Sequence, residues 1–293
     1  MAEGQQWAGT TYGSRRMHRW LIAMLRYMDV RLLYIFSAVF IVPVCLLVRP
    51  SRGVIYRYFR QRFGYHPLKS LWKTYQNHCA FAEVVIDRFA MYAGRHFDVE
   101  VEGYAHFLEL ARRPEGFVMM SAHVGNYELA GYTLPSEQKV INALVFYGEK
   151  PSVMENRRKM FAHTNIRMIA IREDRGHLFE INNALARGEV ISTPADRCFG
   201  SPKTVAKTFL GGVAHFPQGA FSIAAMRGAD VIAVNVMKES WQRYRIFVTP
   251  LPYDKQAPRR QQVGELADAY VAELERIVRR YPTQWYNFYE FWS

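Results

Sequence analysis

The sequence predicts an α/β protein: a mixed, largely parallel sheet flanked by helices, with an N-terminal hydrophobic membrane-anchoring helix. Three observations carry that expectation. From Phe97 onward, short apolar runs alternate with helix-compatible stretches, the signature of strands joined by crossover helices. Near the start lies an uncharged apolar run, Leu32 to Val48, of about 17 residues, the lower limit for a spanning helix. Half of the 293 residues (50%) are hydrophobic, enough to bury a substantial core.

Taken in order, Arg15, Arg16, His18, Arg19, Arg26 and Arg31 are interleaved with Trp20, Leu21, Ile22, Met24, Leu25 and Met28. That is a basic amphipathic segment, suited to an anionic membrane surface. It runs into the apolar stretch, which Arg49 and Arg52 close. Arginines at both ends give no orientation, and a secretory signal is disfavoured because no small-residue cleavage site follows. Residues 1–53 are therefore read as amphipathic segment and anchor, and 54–293 as one catalytic domain. Val54 to Tyr92 reads as helices that shelter the core or extend the membrane-facing surface. Strands are expected at Phe117–Met120, Val140–Phe146, Ile166–Ile171, Val190–Thr193, Val231–Val236 and Tyr244–Val248. Helices are expected at Tyr127–Tyr132, Val153–His163, His177–Ala186, Ala220–Met226 and Gln262–Arg280, with Gly188 as a C-cap. An aromatic tail, Pro282 to Trp292, closes the chain.

Net charge is +12, from 38 basic and 26 acidic residues. Such a surface seeks anions: an anionic leaflet, an acidic carrier protein, or nucleic acid. The basic residues are spread along the chain with no nucleic-acid-binding signature, so nucleic acid is the weakest of these. Cys45, Cys79 and Cys198 form no CxxC, which argues against a disulfide framework or thiolate zinc site and suits a reducing compartment. No second histidine falls at zinc-like spacing, so no metal is expected.

The chemistry concentrates in Ser121-Ala-His-Val-Gly-Asn-Tyr-Glu128. An apolar strand leads in and a helix-compatible run leads out, with a tight turn at Gly125 and Asn126 as helix cap. Residues five apart on one helix sit about 140° apart and could not meet, so His123 belongs on the turn. From there it can reach Glu128 in the first helical turn. A histidine held by a carboxylate can take a proton from a hydroxyl. The competing reading is a solvated loop histidine beside an unrelated glutamate. Asp196 and Arg197 lie beyond another strand end, near the same face, and Arg172 follows the Ile166–Ile171 strand as an anion-binding candidate.

With His123-Val-Gly-Asn-Tyr-Glu128 after a strand, the chain resembles the histidine-x4-acid acyltransferases, and within them the bacterial lipid A biosynthesis late acyltransferases. Thr193-Pro-Ala-Asp-Arg197, Phe209-Leu-Gly-Gly212, Pro217-Gln-Gly-Ala220, Gly228-Ala-Asp230 and Pro282-Thr-Gln-Trp285 follow that family's order. Two departures stand out: Arg197 where the family commonly has glutamine, and Leu210 in place of a second phenylalanine. Phe216-Pro-Gln-Gly219 superficially resembles a glycerol-phosphate acyltransferase block, but is read here as the opening of a downstream helix.

The resemblance implies a membrane-associated O-acyltransferase with no cofactor. Acyl-ACP or acyl-CoA is the co-substrate and the acceptor is a hydroxyl of a lipid A precursor or related glycolipid. It would work at the cytoplasmic face of the bacterial inner membrane. His123 is then the general base and Glu128 its orienter; Asp196 either supports the site from behind the reacting groups or positions the acceptor, Asn126 contacts substrate, and Arg197 and Arg172 contact phosphate or carboxylate. Backbone N–H groups around Gly125, or an arginine, would hold the oxyanion. Met119, Phe146, Phe161, Phe199 and Phe209 are candidates for an acyl groove. A different acceptor (aminolipid, phospholipid or polyene pigment), or a non-catalytic membrane lipid-binding protein of the same fold, are the alternatives.

Overall fold

The computed structural model describes residues 14–134, 139–146, 151–162, 164–171, 176–198 and 203–292. Its strands are β1 (Asp98–Glu102), β2 (Phe117–Ser121), β3 (Ile141–Phe146), β4 (Ile166–Ile171), β5 (Val190–Pro194), β6 (Thr204–Phe209), β7 (Gly212–Pro217), β8 (Asp230–Lys238) and β9 (Arg243–Pro250). Seven form one sheet in the order β1-β9-β8-β2-β5-β3-β4. The centre is parallel: β8, β2, β5, β3 and β4 run together. β9 returns antiparallel to β8 and β1 lies parallel to β9, which makes the sheet mixed. All six expected strands are present.

Strand β2 shows why the sheet sits at the centre. Val118 and Met120 point into one buried cluster and Phe117 and Met119 into the other, as a period of two dictates for a strand covered on both faces. Met119 and Phe209, expected to line an acyl groove, are core residues, 4% and 0% exposed.

β1 and the separate β6–β7 hairpin were not expected. In β1, Asp-Val-Glu-Val-Glu alternates half-buried and exposed positions, a charged pattern that natural sheet edges favour. The hairpin turns at Leu210 and Gly211, both with positive φ, a two-residue turn whose twist matches the strands. Leu210 is held in this unfavourable conformation by burial and by donating its N–H to Glu275 Oε2 at 2.7 Å.

The helices are α1 (Arg15–Leu25), α2 (Val30–Phe36), α3 (Val42–Val48), α4 (Ser51–Arg62), α5 (Pro67–Tyr92), α6 (Tyr104–Arg112), α7 (Ala130–Thr133), α8 (Pro151–Phe161), α9 (His177–Ala186), α10 (Gln218–Ala225) and α11 (Arg259–Arg280). A π-helical turn, Ser37–Ile41, joins α2 to α3, so Val30–Val48 forms a single apolar helix, long enough to cross a membrane. Its outward face carries exposed Leu32, Ile35, Phe40 and Leu47. Its inward face docks on α5, where Tyr75 donates to the carbonyl of Ala38 at 3.1 Å in the π turn.

A polar lock fastens that docking. Asp87 of α5, fully buried, accepts hydrogen bonds from Tyr34 of α2, Tyr244 of β9 and Lys238 of β8. The Lys238 ammonium also lies 2.9 Å from the Tyr34 hydroxyl and 3.5 Å from Glu83. A buried carboxylate is tolerated only when partnered in this way.

Candidate active site

Parallel pairing of β2 with β5 sets Ser121 opposite Pro194. Two residues beyond that register stand His123 and Asp196, so the sheet itself brings them level across 73 positions of sequence. The Asp196 carboxylate grips the histidine twice. Oδ1 lies 2.7 Å from ring Nδ1, and Oδ2 accepts the His123 backbone N–H at 2.9 Å. A carboxylate at Nδ1 assigns the ring proton there and makes Nε2 the basic nitrogen.

Glu128 faces elsewhere, and here the structure departs from the sequence reading. Its buried carboxylate accepts from Arg157 of α8 and from the Tyr92 hydroxyl at 2.9 Å, while Arg88 Nε of α5 lies 3.3 Å away. Asp196, and not Glu128, occupies the place beside the imidazole. The segment after Gly125 is a 3-10 turn, Tyr127–Leu129, leading into the short α7, and it carries the Glu128 side chain into the cage between α5 and α8.

Electrostatics separate the two carboxylates' surroundings. Burial opposes ionisation of Glu128, but the charges of Arg157 and Arg88 override it and hold the carboxyl at about 2. Burial likewise opposes ionisation of Asp196; the His123 ring and the Arg197 charge bring it to about 2. The imidazole, 17% exposed, is pushed below its ordinary value, first by burial and then by the Arg197 charge, against the pull of Asp196. At neutral pH the ring is therefore uncharged, the form a general base needs.

The turn itself is tightly determined. Gly125 has φ +47°, and a Cβ there would stand 1.9 Å from the carbonyl oxygen of Val236, so only glycine fits. Its N–H, an expected oxyanion donor, is spent on the Gln284 carbonyl at 2.8 Å. Asn126 is wholly buried and makes no side-chain cap; its amide nitrogen lies 3.8 Å from Met91 Sδ. Ser121 contributes structure: its carbonyl accepts from the Ala195 N–H and the Tyr270 hydroxyl, each at 2.9 Å.

Arg197, partly buried, donates to the Tyr286 carbonyl at 2.9 Å. The expected roles of Arg172 and Phe199 fall on positions outside the described residues, as does the side chain of Phe146. Sequence reasoning missed Tyr92, Arg88 and Arg157, which come from two helices whose arginines look like any solvated charge until the fold buries them. Among the described residues, no group of three His, Cys, Asp or Glu is placed to hold a metal ion.

The sequence matches the family model described as bacterial lipid A biosynthesis acyltransferase over residues 81–293, a span that contains His123, Glu128, Asp196 and Arg197. The chain belongs to that family. This acyltransferase has no match among curated proteins. A crystal structure of the 1-acyl-sn-glycerophosphate acyltransferase PlsC from Thermotoga maritima aligns with 94% of the chain and all of its own length, at 16% identity and a TM-score of 0.40. The acyltransferase thus presents, at the carboxyl end of its parallel strands where ligands of α/β sheets collect, a neutral imidazole backed by an ionised carboxylate.

Proposed function

We propose that this acyltransferase moves a fatty acyl chain from a thioester, carried by acyl carrier protein or coenzyme A, to a hydroxyl of a lipid A precursor or related glycolipid. The observation that carries the reading is the double contact between Asp196 and His123. Nε2 of His123 takes the proton of the acceptor hydroxyl as its oxygen attacks the thioester carbonyl. A C–O bond forms, the tetrahedral intermediate collapses, the C–S bond breaks, and the thiolate leaves with the proton returned by the imidazolium. Asp196 orients the ring and stabilises that imidazolium, the part a carboxylate plays in a catalytic triad.

The surroundings suit an anionic substrate. Arg197 lies near the base, and Arg88 is close enough for its charge to act on His123 as well. These arginines favour a phosphorylated acceptor or the phosphate of a pantetheine carrier. The apolar Val30–Val48 helix, with the basic amphipathic α1 before it, fits a protein held at the cytoplasmic face of the inner membrane, where both substrates meet.

Acyl transfer in membranes containing the His123→Ala variant tests the chemistry; undiminished transfer would sink it. Mass spectrometry of lipids from cells with and without the protein identifies the acceptor, and a mass gain on an aminolipid or pigment instead of a glycolipid would reassign it. Deleting residues 1–50 is expected to release the protein from the membrane fraction, and unchanged sedimentation would count against the anchor.

A further inference from the structure

The residues that close the chain are threaded along the catalytic turn. The Gln284 carbonyl accepts the Gly125 N–H at 2.8 Å, and the Tyr286 N–H donates to the His123 carbonyl at 3.0 Å. Between them Val124 and Trp285 form an antiparallel bridge. The Tyr286 carbonyl then accepts from Arg197, and the Tyr289 hydroxyl reaches the Asp196 carbonyl at 3.4 Å. One segment therefore touches His123, Asp196 and Arg197 at their backbones or guanidinium, although these come from two different strand ends.

The segment is itself fastened to the fold. The Gln284 side chain reads the end of β8 with both ends of its amide: Oε1 accepts the Lys238 N–H at 2.9 Å and Nε2 donates to the Lys238 carbonyl at 2.7 Å. Asn77 of α5 donates to the carbonyls of Thr283 at 3.0 Å and Trp285 at 2.9 Å. The Trp285 ring is 1% exposed, packed among Tyr58, Phe209 and Phe291. Because the side-chain amide and the backbone carbonyl of Gln284 bind β8 and the turn respectively, this residue transmits the position of a rigid strand to the histidine.

We propose that Thr283–Tyr286 is a strap that fixes the catalytic turn, with Gln284 as a positioning residue for His123. This rests on the reading of His123 as the base, but its geometry does not depend on which acceptor is used. The groups facing the imidazole are Asp196 and Arg197 from the end of β5, Arg88 from α5 and Tyr127 on its own turn, with Tyr289 of the tail facing Asp196. Losing the strap lets the ring move out of this enclosure. A base displaced by a fraction of an ångström loses rate without losing substrate binding.

The test uses the full-length protein in detergent micelles. In Gln284→Ala, kcat is expected to fall about tenfold with KM for the acyl thioester within about twofold of the parent. Independently of any assay, NMR titration of the His123 ring, assigned with His123→Gln, should show its pKa rising toward the ordinary value of about 6.5. Gln284→Glu, which keeps the acceptor toward Lys238 and loses the donor, should fall between the two. Unchanged kcat and an unchanged His123 titration in folded Gln284→Ala would overturn the proposal. So would failure of both variants to fold, since the segment would then be only structural. A parent protein without acyl transfer refutes the proposed function alone, and the titration still decides the strap.

Discussion

Two buried carboxylates flank one turn of this protein, and their company separates them. Asp196 faces an imidazole, a group that can change charge near neutrality; Glu128 faces two guanidiniums, which stay charged, and the Tyr92 hydroxyl. Both carboxyls are held at about 2, so ionisation alone does not distinguish them. What distinguishes them is whether the partner can gain and lose a proton near neutrality.

The comparison can be broken most directly at the base. His123→Ala is expected to lower acyl transfer about 10³-fold or more, read from initial rates on equal amounts of folded protein. Asp196→Asn comes next, at about 10²-fold or more, because an amide cannot stabilise the imidazolium. Should Asp196→Asn run at parental rate while Glu128→Gln is dead yet fully stable, the two roles are reversed.

Glu128→Gln should instead act on stability. It leaves Arg88 and Arg157 buried without a countercharge, a loss of about 3–5 kcal/mol, seen as a drop of roughly 10 °C in melting temperature. Acid provides the same test without mutation. The Glu128 pKa is depressed on folding, so its contribution is complete above the ordinary 4.5 and is lost as pH falls toward about 2. The parent should lose this stabilisation in that window, and the Gln variant should not.

The smallest effect concerns Arg197. Its positive charge helps depress the His123 pKa, so the acid limb of kcat/KM should have its midpoint below about 6.5 in the parent and move upward, by a few tenths of a pH unit, in Arg197→Gln. A downward move would place that guanidinium's influence elsewhere.

Much of the architecture was legible because buried parallel strands announce themselves as apolar runs; β2, β3, β4, β5, β8 and β9 lie where those runs do. β1 escaped because its charges obscure its alternation, and the hairpin because its two strands pack on only one face. At the site, His123 was legible from a strand end followed by glycine. Its partner was not, since the nearer acid in sequence, Glu128, obscured the nearer acid in space. The decisive fact is a strand register, Ser121 beside Pro194, which no local spacing contains. Arg88 and Arg157 were invisible for a related reason: burial, which turns a surface arginine into a clamp, belongs to the tertiary fold.

The polar lock around Asp87 bears on how the chain is made. Tyr34 leaves the ribosome early, but Lys238, which supplies the lock's ammonium, follows 204 positions later, and Tyr244 of β9 comes after it. At about 5–20 residues per second that is a delay of roughly 10–40 s. During it the apolar helix is already synthesised while the Asp87 carboxylate still lacks its ammonium. A nascent chain halted before Lys238 should therefore be handled as unfolded by chaperones or proteases, and synthesis of β8 and β9 is the moment at which the apolar helix and the sheet become one body.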